Sequence, residues 1–121
     1  MGLMLTDWLE QLDNEKATEI KVRSTNSFLD MVDVRDAARA YEILATRGEV
    51  GSIYNLGSGR VSNSGEVLRE FLSMFDQELD VVANSNDERW NTIADISKLR
   101  SLGWSPEIEI KQTLRDMLHK V

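Results

Sequence analysis

The alternation of apolar and polar positions is clearest over residues 28–59, and the rest of the chain is organised around this segment. Phe28–Val32 is mostly apolar and predicts a strand, and Asp33–Arg47 has the three-to-four-residue apolar spacing of a helix. Ile53–Leu56 is short and β-favouring, and the glycine-rich Gly57–Gly59 ends it. The pattern therefore predicts a strand–helix–strand unit closed by a turn.

The central helix has signals at both ends. Asp33 and Asp36 stand in its first turn, where free backbone amides and the helix dipole favour carboxylates. Gly48 follows the last turn, where a left-handed residue commonly ends a helix. The predicted inward face consists of six residues, namely Val34, Ala37, Ala38, Tyr41, Leu44 and Ala45.

The flanking sequence predicts four further helices and two further strands. The helices are Met1–Asn14, Asn63–Phe75, Ile96–Leu102 and Ile110–Val121, and the strands are Thr18–Arg23 and Leu79–Val82. Asn63 and Asp95 are the predicted caps of the second and third of these helices. Ala83–Asn91 is polar and predicts a loop. The chain is therefore expected to have an α/β fold with about five helices and three to four short strands.

Composition excludes several classes of function. A chain of 121 residues is expected to be a single domain, or part of one, over residues 1–121. Its net charge of −7 argues against nucleic acid or an anionic membrane as a bulk partner. It contains no cysteine and one histidine, His119, so no thiolate nucleophile and no cysteine metal site is expected. No long apolar run or signal peptide is visible, and we expect a cytoplasmic location.

Four phrases resemble a known family in their order and spacing. They are similar to the C-terminal part of extended short-chain dehydrogenases/reductases. The first two phrases are adjacent and read FLDMVDVRDAARAYEILATRGEVG and SIYNLGSG, and the later two read ADISKLRSLGWSPEI and TLRDML. Members are NAD(P)-dependent nucleotide-sugar epimerases, dehydratases and reductases. The phrases are most similar to the branch acting on GDP-sugars, which includes GDP-mannose dehydratases and GDP-4-keto-6-deoxy-mannose reductases. The resemblance implies a nucleotide-sugar-binding portion that lacks the dinucleotide-binding Rossmann core.

The resemblance also implies positions for substrate contacts in the first half of the chain. Relatives usually carry a phosphate-binding arginine immediately before the equivalent of Asp30, but this chain has Leu29 there. Leucine cannot supply the charge-assisted donors of a guanidinium. Arg23 is a substitute candidate, the alternative being a solvated side chain on an edge strand. Asn26, in the polar turn between them, is included in the expected site.

The second expected contact region is the polar loop. Relatives usually place there an arginine for the pyrophosphate and, three residues on, an aspartate for the ribose. These positions hold Ser85 and Glu88 in this chain. Arg89 is the candidate replacement, the alternative being a surface salt bridge. Trp90 either covers the site or closes the loop.

The catalytic signatures of the resembled family are absent from this sequence. No G-x-x-G-x-x-G follows an N-terminal strand, and Gly57–Gly59 lacks the third glycine and the later acidic residue. The Tyr-x-x-x-Lys pair of the family is also missing, since Ala45 follows Tyr41 and Ser58 follows Tyr54 at that spacing. We therefore expect no catalytic residue, no metal site and no cofactor site in this chain, with NAD or NADP serving the full-length family.

Three interpretations remain open. The chain is a fragment or truncated product carrying the nucleotide-sugar-binding part of such an enzyme, a non-catalytic nucleotide- or protein-binding domain derived from it, or a structural module that shares the fold. In the full-length family, Ile53–Leu56 joins the parallel sheet and the Asp33–Arg47 helix lies against it. Because that sheet is missing here, we expect a strand edge and an apolar helix face to be open and the chain to self-associate.

Overall fold

The computed structural model describes residues 4–119. These residues form an α/β structure with five helices and five short strands, which confirms the predicted fold class and helix number. The chain divides into two compact units, one comprising residues 4–27 and 63–89 and the other residues 28–62 and 90–119.

The first unit contains two helices and a parallel strand pair. In chain order these elements are α1 (Met4–Leu12), β1 (Glu19–Ser24), α3 (Ser64–Leu72) and β4 (Asp80–Ser85). β1 and β4 are parallel, with Ile20 opposite Val81 and Val22 opposite Ala83. The amide side chain of Gln11 donates to the Lys21 carbonyl at 2.8 Å and accepts from the Lys21 N–H at 2.7 Å, so it pairs backbone groups of β1.

The core of the first unit follows from the two-residue period of its strand and the 3.6-residue period of its helices. β1 alternates exposed and buried residues, which buries Ile20 and Val22, and α1 contributes Trp8 and Leu12. Phe71 of α3 is 1% exposed, and its ring lies 5.5 Å from that of Trp8. Asn63 caps α3 as predicted, because its side chain accepts from the N–H groups of the second and third residues that follow it.

The second unit contains three helices: α2 (Val34–Arg47), α4 (Ser97–Ser101) and α5 (Ile110–Leu118). Its apolar cluster is formed by Ala40, Ile96, Leu99 and Trp104, with partly buried Val32, Ile43, Leu44, Leu56 and Ala94 packed against it. Three shorter strands, β2 (Ser27–Leu29), β3 (Ser62–Asn63) and β5 (Arg89–Trp90), pair in the order β3-β2-β5. Each of these strands contains a point where the chain passes from one unit to the other.

Several predicted caps and ends of the second unit are confirmed. The Asp33 carboxylate accepts from the Arg35 N–H at 2.8 Å and caps α2. The prediction of Asp95 as the cap of α4 is wrong, because α4 begins one residue later than expected and its N-cap residue is Ile96; the Asp95 carboxylate still accepts from the Ser97 N–H at 3.0 Å. Gly103 closes α4 with φ of 95°, a left-handed conformation that favours glycine. His119 is exposed.

Gly48 follows the last residue of α2 as predicted, but the predicted left-handed conformation is wrong. Gly48 has φ of −66°, so it is not left-handed. Its N–H instead bonds to the Leu44 carbonyl, and a Cβ at position 48 would lie 2.5 Å from that oxygen. Glycine is therefore required here by close backbone approach and not by positive φ.

The predicted strand Ile53–Leu56 is also wrong for this chain. The segment has no regular secondary structure and joins no strand ladder among the described residues. A strand assignment needs a partner backbone, and β-favouring residues alone do not supply one. The other strand predictions need shifts of bounds: the central strand shortens to Ser27–Leu29, and the predicted loop Ala83–Asn91 contains the end of β4 and all of β5. The predicted helix residues 1–3 and 120–121 lie outside the described residues.

The predicted inward face of α2 is only partly inward. Val34 is 78% exposed and Tyr41 is 66% exposed, whereas Asp36 and Ala40 are almost completely buried. The helix is rotated from the predicted face because Asp36 bonds to backbone amides of a distant segment, which hydropathy does not reveal. The face of α2 that carries Val34 and Tyr41 is therefore open to solvent among the described residues.

Candidate functional site

Asp30 organises the glycine-rich turn of the second unit. Its Oδ1 accepts from the Ser58 N–H at 2.7 Å and from the Ser58 Oγ–H at 2.6 Å. Its Oδ2 accepts from the Gly59 N–H at 3.2 Å and the Ala94 N–H at 3.1 Å. One carboxylate therefore joins the turn at 57–59 to the segment at 94.

The two glycines of this turn have distinct structural reasons. A Cβ on Gly57 would lie 2.6 Å from Asp30 Oδ2 and 2.7 Å from the Ala94 Cβ, so a side chain is excluded there. Gly59 has φ of 67°, a left-handed conformation that L residues rarely adopt. The turn is therefore built to hold the Asp30 carboxylate.

The electrostatic state of Asp30 follows from these bonds. Burial by itself raises the pKa of Asp30, but the hydrogen bonds from Ser58, Ala94 and Gly59 outweigh it and lower the pKa below its usual value. Asp30 is consequently a carboxylate at neutral pH. Its hydrogen bonds also occupy the N–H groups of Ser58 and Gly59, which a phosphate-binding glycine loop would need to present.

An open cavity of about 520 Å³ lies beside this turn. It is lined by residues of one unit, namely Asp30, Val32, Asn55, Leu56, Gly57, Thr92, Ile93, Ala94 and Asp95. Hydrogen bonds from Ser97 lower the pKa of Asp95, which is exposed and ionised at neutral pH. With two carboxylates and no basic side chain in its lining, the cavity suits neutral hydroxyl groups better than phosphate.

The arginines of α2 hold the fold of the second unit. Arg39 donates to Asp36 at 2.8 Å and to the Ser105 carbonyl at 2.7 Å. Arg35 bonds to Asp33 and, at 2.7 Å, to Asp116 on α5. Ser105 and Asp116 are distant from these arginines in the chain, so the periodicity of α2 does not predict the two long-range contacts.

Tyr54 and Lys98 approach each other without forming an acid–base pair. The Lys98 Nζ lies 5.2 Å from the centre of the Tyr54 ring and donates to the Ile53 carbonyl at 2.9 Å. The Tyr54 hydroxyl accepts from the Glu49 N–H at 2.9 Å. The contact is therefore a cation–π interaction with the ring and leaves the hydroxyl in a structural bond.

Four of the five predicted substrate-binding residues lie in the first unit. Arg23 is exposed on β1, and Glu88 and Arg89 are exposed near β5. The Arg89 N–H donates to the Asn26 carbonyl at 3.1 Å, so the structure brings these two residues together through their backbones. The Asn26 side chain accepts from the Asn63 amide at 3.2 Å.

Leu29, the fifth predicted residue, lies in the second unit at the end of β2 and is half-buried. A neighbouring feature was not found by sequence reasoning: Phe28 and Trp90 stack with ring centres 4.3 Å apart and planes 10° apart. The two aromatic residues are far apart in the chain, and neither stands in a periodic pattern that indicates pairing.

The described part of the chain lacks the structural features of two further functional classes. Residues 4–119 contain no group of three or more His, Asp or Glu side chains placed to hold a metal ion. Within the same range, no helix has the length and apolar character needed to cross a bilayer.

Comparison with known proteins gives relatives that are longer than this chain. No protein-family profile matches it. It is 31% identical over 108 residues to the GDP-6-deoxy-D-mannose reductase of Pseudomonas aeruginosa, covering 85% of this chain and 36% of the reductase. It is 30% identical over 86 residues to a trifunctional UDP-glucose 4,6-dehydratase/epimerase/reductase of Arabidopsis thaliana, covering 66% of this chain and 13% of that enzyme.

Solved structures show the same relation. The structure of RMD from Pseudomonas aeruginosa complexed with NADPH superposes with a TM-score of 0.84 at 27% identity, covering 97% of this chain and 40% of that one. A UDP-glucose 4-epimerase from Bifidobacterium longum, in complex with NAD+ and UDP, superposes with a TM-score of 0.71 at 20% identity, which shows the shared fold. The chain thus spans well under half the length of the proteins it matches.

Proposed function

Because this chain is homologous to a segment of the extended short-chain dehydrogenases/reductases, we propose that it is the nucleotide-sugar-binding portion of an NAD(P)-dependent sugar-nucleotide epimerase, dehydratase or reductase. The observation that carries the proposal is the superposition on RMD, which includes 97% of this chain and only 40% of the other. In this proposal the single C-terminal portion comprises residues 1–121 and lacks the dinucleotide-binding core. It is not catalytic by itself.

The proposed ligand is a nucleotide sugar, and the similarity to a GDP-6-deoxy-D-mannose reductase favours a GDP-linked sugar. Arg23 and Arg89 are the proposed phosphate ligands, since both present exposed guanidinium groups. Asn26 and Glu88 complete the proposed polar contacts. Leu29 contributes an apolar contact only, so this chain is expected to bind diphosphate more weakly than a relative with arginine there.

The chain does not fit a dinucleotide cofactor at its glycine-rich turn. The Ser58 and Gly59 N–H groups already bond to Asp30, at 2.7 and 3.2 Å. A cofactor pyrophosphate needs such amides to be available. We therefore propose that NAD or NADP is bound elsewhere in the complete enzymes of the family.

Titration calorimetry of the chain with GDP-mannose, UDP-glucose and dTDP-glucose tests the proposed ligand class. Arg89→Ala is expected to weaken binding roughly tenfold, the effect of losing about 1.4 kcal/mol from a charge-assisted hydrogen bond. Arg69→Ala, at another exposed arginine of the same unit, serves as the matched control and should leave affinity unchanged. Absence of heat with all three ligands would refute binding by this chain.

A second candidate function is a non-catalytic nucleotide- or protein-binding domain derived from the same family. The observation that favours it is the structural use of the Tyr54 hydroxyl, which accepts from the Glu49 N–H. The adjacent coding sequence separates the two proposals. A glycine-rich fingerprint and a Tyr-x-x-x-Lys pair encoded upstream in frame would support the enzyme portion, and an unrelated upstream sequence would support the derived domain.

We further propose that the chain self-associates through the apolar surface of its second unit. Val34, Tyr41 and Ile53 are 78%, 66% and 81% exposed, and the β-favouring segment at Ile53 has backbone groups outside any ladder of the described residues. Two such segments can pair with each other. Sedimentation velocity should show a dimer or larger species that Ile53→Asp shifts towards monomer, while Val61→Asp, at a residue 50% exposed, should not. A monomer at all concentrations would contradict this proposal.

The proposed cellular location is the cytoplasm. The sequence contains no cysteine, which agrees with a reducing compartment where disulfides are not used. Expression of a tagged chain followed by cell fractionation tests this proposal.

A further inference from the structure

We propose that the stacked rings of Phe28 and Trp90 form a platform that binds the purine base of a nucleotide ligand. This inference rests on the proposed function and names a residue pair that would select the base. It involves one unit of the fold, because both rings belong to the second unit.

The geometry of the ring pair supports a stacking role. The ring centres are 4.3 Å apart and the planes differ by 10°, so the two rings are nearly parallel. Trp90 nevertheless remains 58% exposed. The other two tryptophans, Trp8 and Trp104, are 2% and 1% exposed and serve as core residues. Trp90 therefore presents aromatic surface to solvent while being held flat by Phe28.

The platform is held in place by the next residue. Asn91 donates its backbone N–H to the Phe28 carbonyl at 2.8 Å and its side-chain amide to the same oxygen at 3.1 Å. These two bonds fix the segment that carries the indole against the strand that carries the phenyl ring. A preorganised surface loses less conformational entropy when a ligand stacks on it.

The position of the platform relative to the cavity indicates which part of a nucleotide each would contact. Thr92, two residues after Trp90, lines the cavity, and two residues of extended chain span at most about 7 Å. Asn55, Thr92 and Asp95 offer hydrogen-bonding groups to hydroxyls at this wall. A base on Trp90 with its sugar hydroxyls towards the cavity satisfies both chemistries and keeps phosphate away from the carboxylates.

The choice of a purine follows from ring area. Every base has a π face, and base–aromatic stacking is worth enough that removing the ring weakens binding roughly 5- to 150-fold. The larger purine ring covers more of an indole than a pyrimidine does. We therefore expect GDP and ADP to bind more tightly than UDP and CDP.

Tryptophan fluorescence and calorimetry on the full chain test the proposal, with GDP, ADP, UDP, CDP and ribose 5-phosphate as ligands. Because Trp90 is the exposed tryptophan, acrylamide should quench mainly its emission. Purine binding should quench the same part of the fluorescence. Trp90→Leu should weaken GDP and ADP binding at least fivefold and leave ribose 5-phosphate binding unchanged, whereas Trp90→Phe should retain most of the affinity. Tyr41→Leu, at another exposed aromatic residue, is the matched control.

The outcomes separate this inference from the proposed function. Equal GDP affinity of the wild type and Trp90→Leu would overturn the platform and leave nucleotide binding intact. UDP binding as tight as GDP binding would overturn the purine preference. If no nucleotide and no nucleotide sugar binds the wild type, both proposals fail. A loss of ribose 5-phosphate binding in Trp90→Leu, equal to the loss for GDP, would assign Trp90 a structural role instead.

Discussion

Replacing Asp36 by asparagine removes one negative charge from the interior of the second unit. Asp36 is 1% exposed. Its carboxylate accepts from the Ile108 N–H at 3.0 Å, from the Glu107 N–H at 3.1 Å and from the Arg39 guanidinium at 2.8 Å. The change keeps the size of the side chain and alters its hydrogen-bonding capacity.

The cost can be worked out from this geometry. In either orientation, the new amide group of asparagine points at a donor: the Arg39 guanidinium if it replaces Oδ1, or the Ile108 N–H if it replaces Oδ2. One buried donor is left without an acceptor, which costs about 1–3 kcal/mol, and a charge-assisted bond is weakened as well. We expect the free energy of unfolding to fall by about 3 kcal/mol, a large part of the 5–15 kcal/mol typical of a folded domain.

Urea unfolding followed by tryptophan fluorescence measures this loss. The Trp104 indole N–H donates to the Asp36 carbonyl at 3.0 Å, so an intrinsic fluorophore reports on the altered region. Thermal unfolding should show a midpoint lower by about 10 °C. Glu107→Gln is the matched control, because Glu107 pairs with the same guanidinium at 3.6 Å but its side chain is 68% exposed.

The pH dependence gives an independent check. Burial raises the pKa of Asp36, but bonds from Ile108, Arg39 and Glu107 outweigh it and lower the pKa below the usual value. A carboxyl whose folded pKa is lowered contributes stability that is present above its unfolded pKa, about 3.9, and is lost as the pH falls through the folded pKa. The difference between wild type and Asp36→Asn should therefore shrink below about pH 4. Unfolding of Asp36→Asn at the wild-type urea concentration, or an equal loss of stability in Glu107→Gln, would show that the buried carboxylate of Asp36 does not stabilise the second unit.

Two further predictions concern the second unit. Asp33→Ala removes the α2 cap and the bonds to Arg35 and Thr113 that hold the pKa of Asp33 far below its usual range, so it should lower the free energy of unfolding by about 1–2 kcal/mol at pH 7. This loss should vanish as the pH falls through the lowered pKa of Asp33. An undiminished loss in acid would contradict the stabilising role of the Asp33 carboxylate. Gly57→Ala should lower the free energy of unfolding by about 2–3 kcal/mol because a Cβ would meet an Asp30 oxygen at 2.6 Å. Gly51→Ala should cost only about 1 kcal/mol, because nothing lies within 4 Å of the new Cβ and only the φ of 83° opposes the change. Equal losses for the two variants in calorimetry would disprove the role of the Asp30 contact.

Local features of the sequence determined the helices and their caps. The 3.6-residue period located all five helices, and the short polar side chains of Asp33 and Asn63 marked the beginnings of α2 and α3. These features are predictable because a cap bonds to backbone only two or three residues away. The resemblance to the nucleotide-sugar enzymes was also determined by the sequence, since it depends on phrases and their order.

The tertiary structure alone decided which groups meet at the candidate sites. Asp30 holds Ser58 from 28 positions away, and Asp36 bonds to the amide 72 positions later, so no local pattern indicates either contact. Ile53–Leu56 has the composition of a strand but no partner backbone among the described residues, and pairing is a property of two segments. The ring stack of Phe28 and Trp90 likewise depends on two segments brought together by the fold. Contacts of high sequence separation are set by packing and backbone hydrogen bonding across the unit, and single-residue propensities do not contain that information.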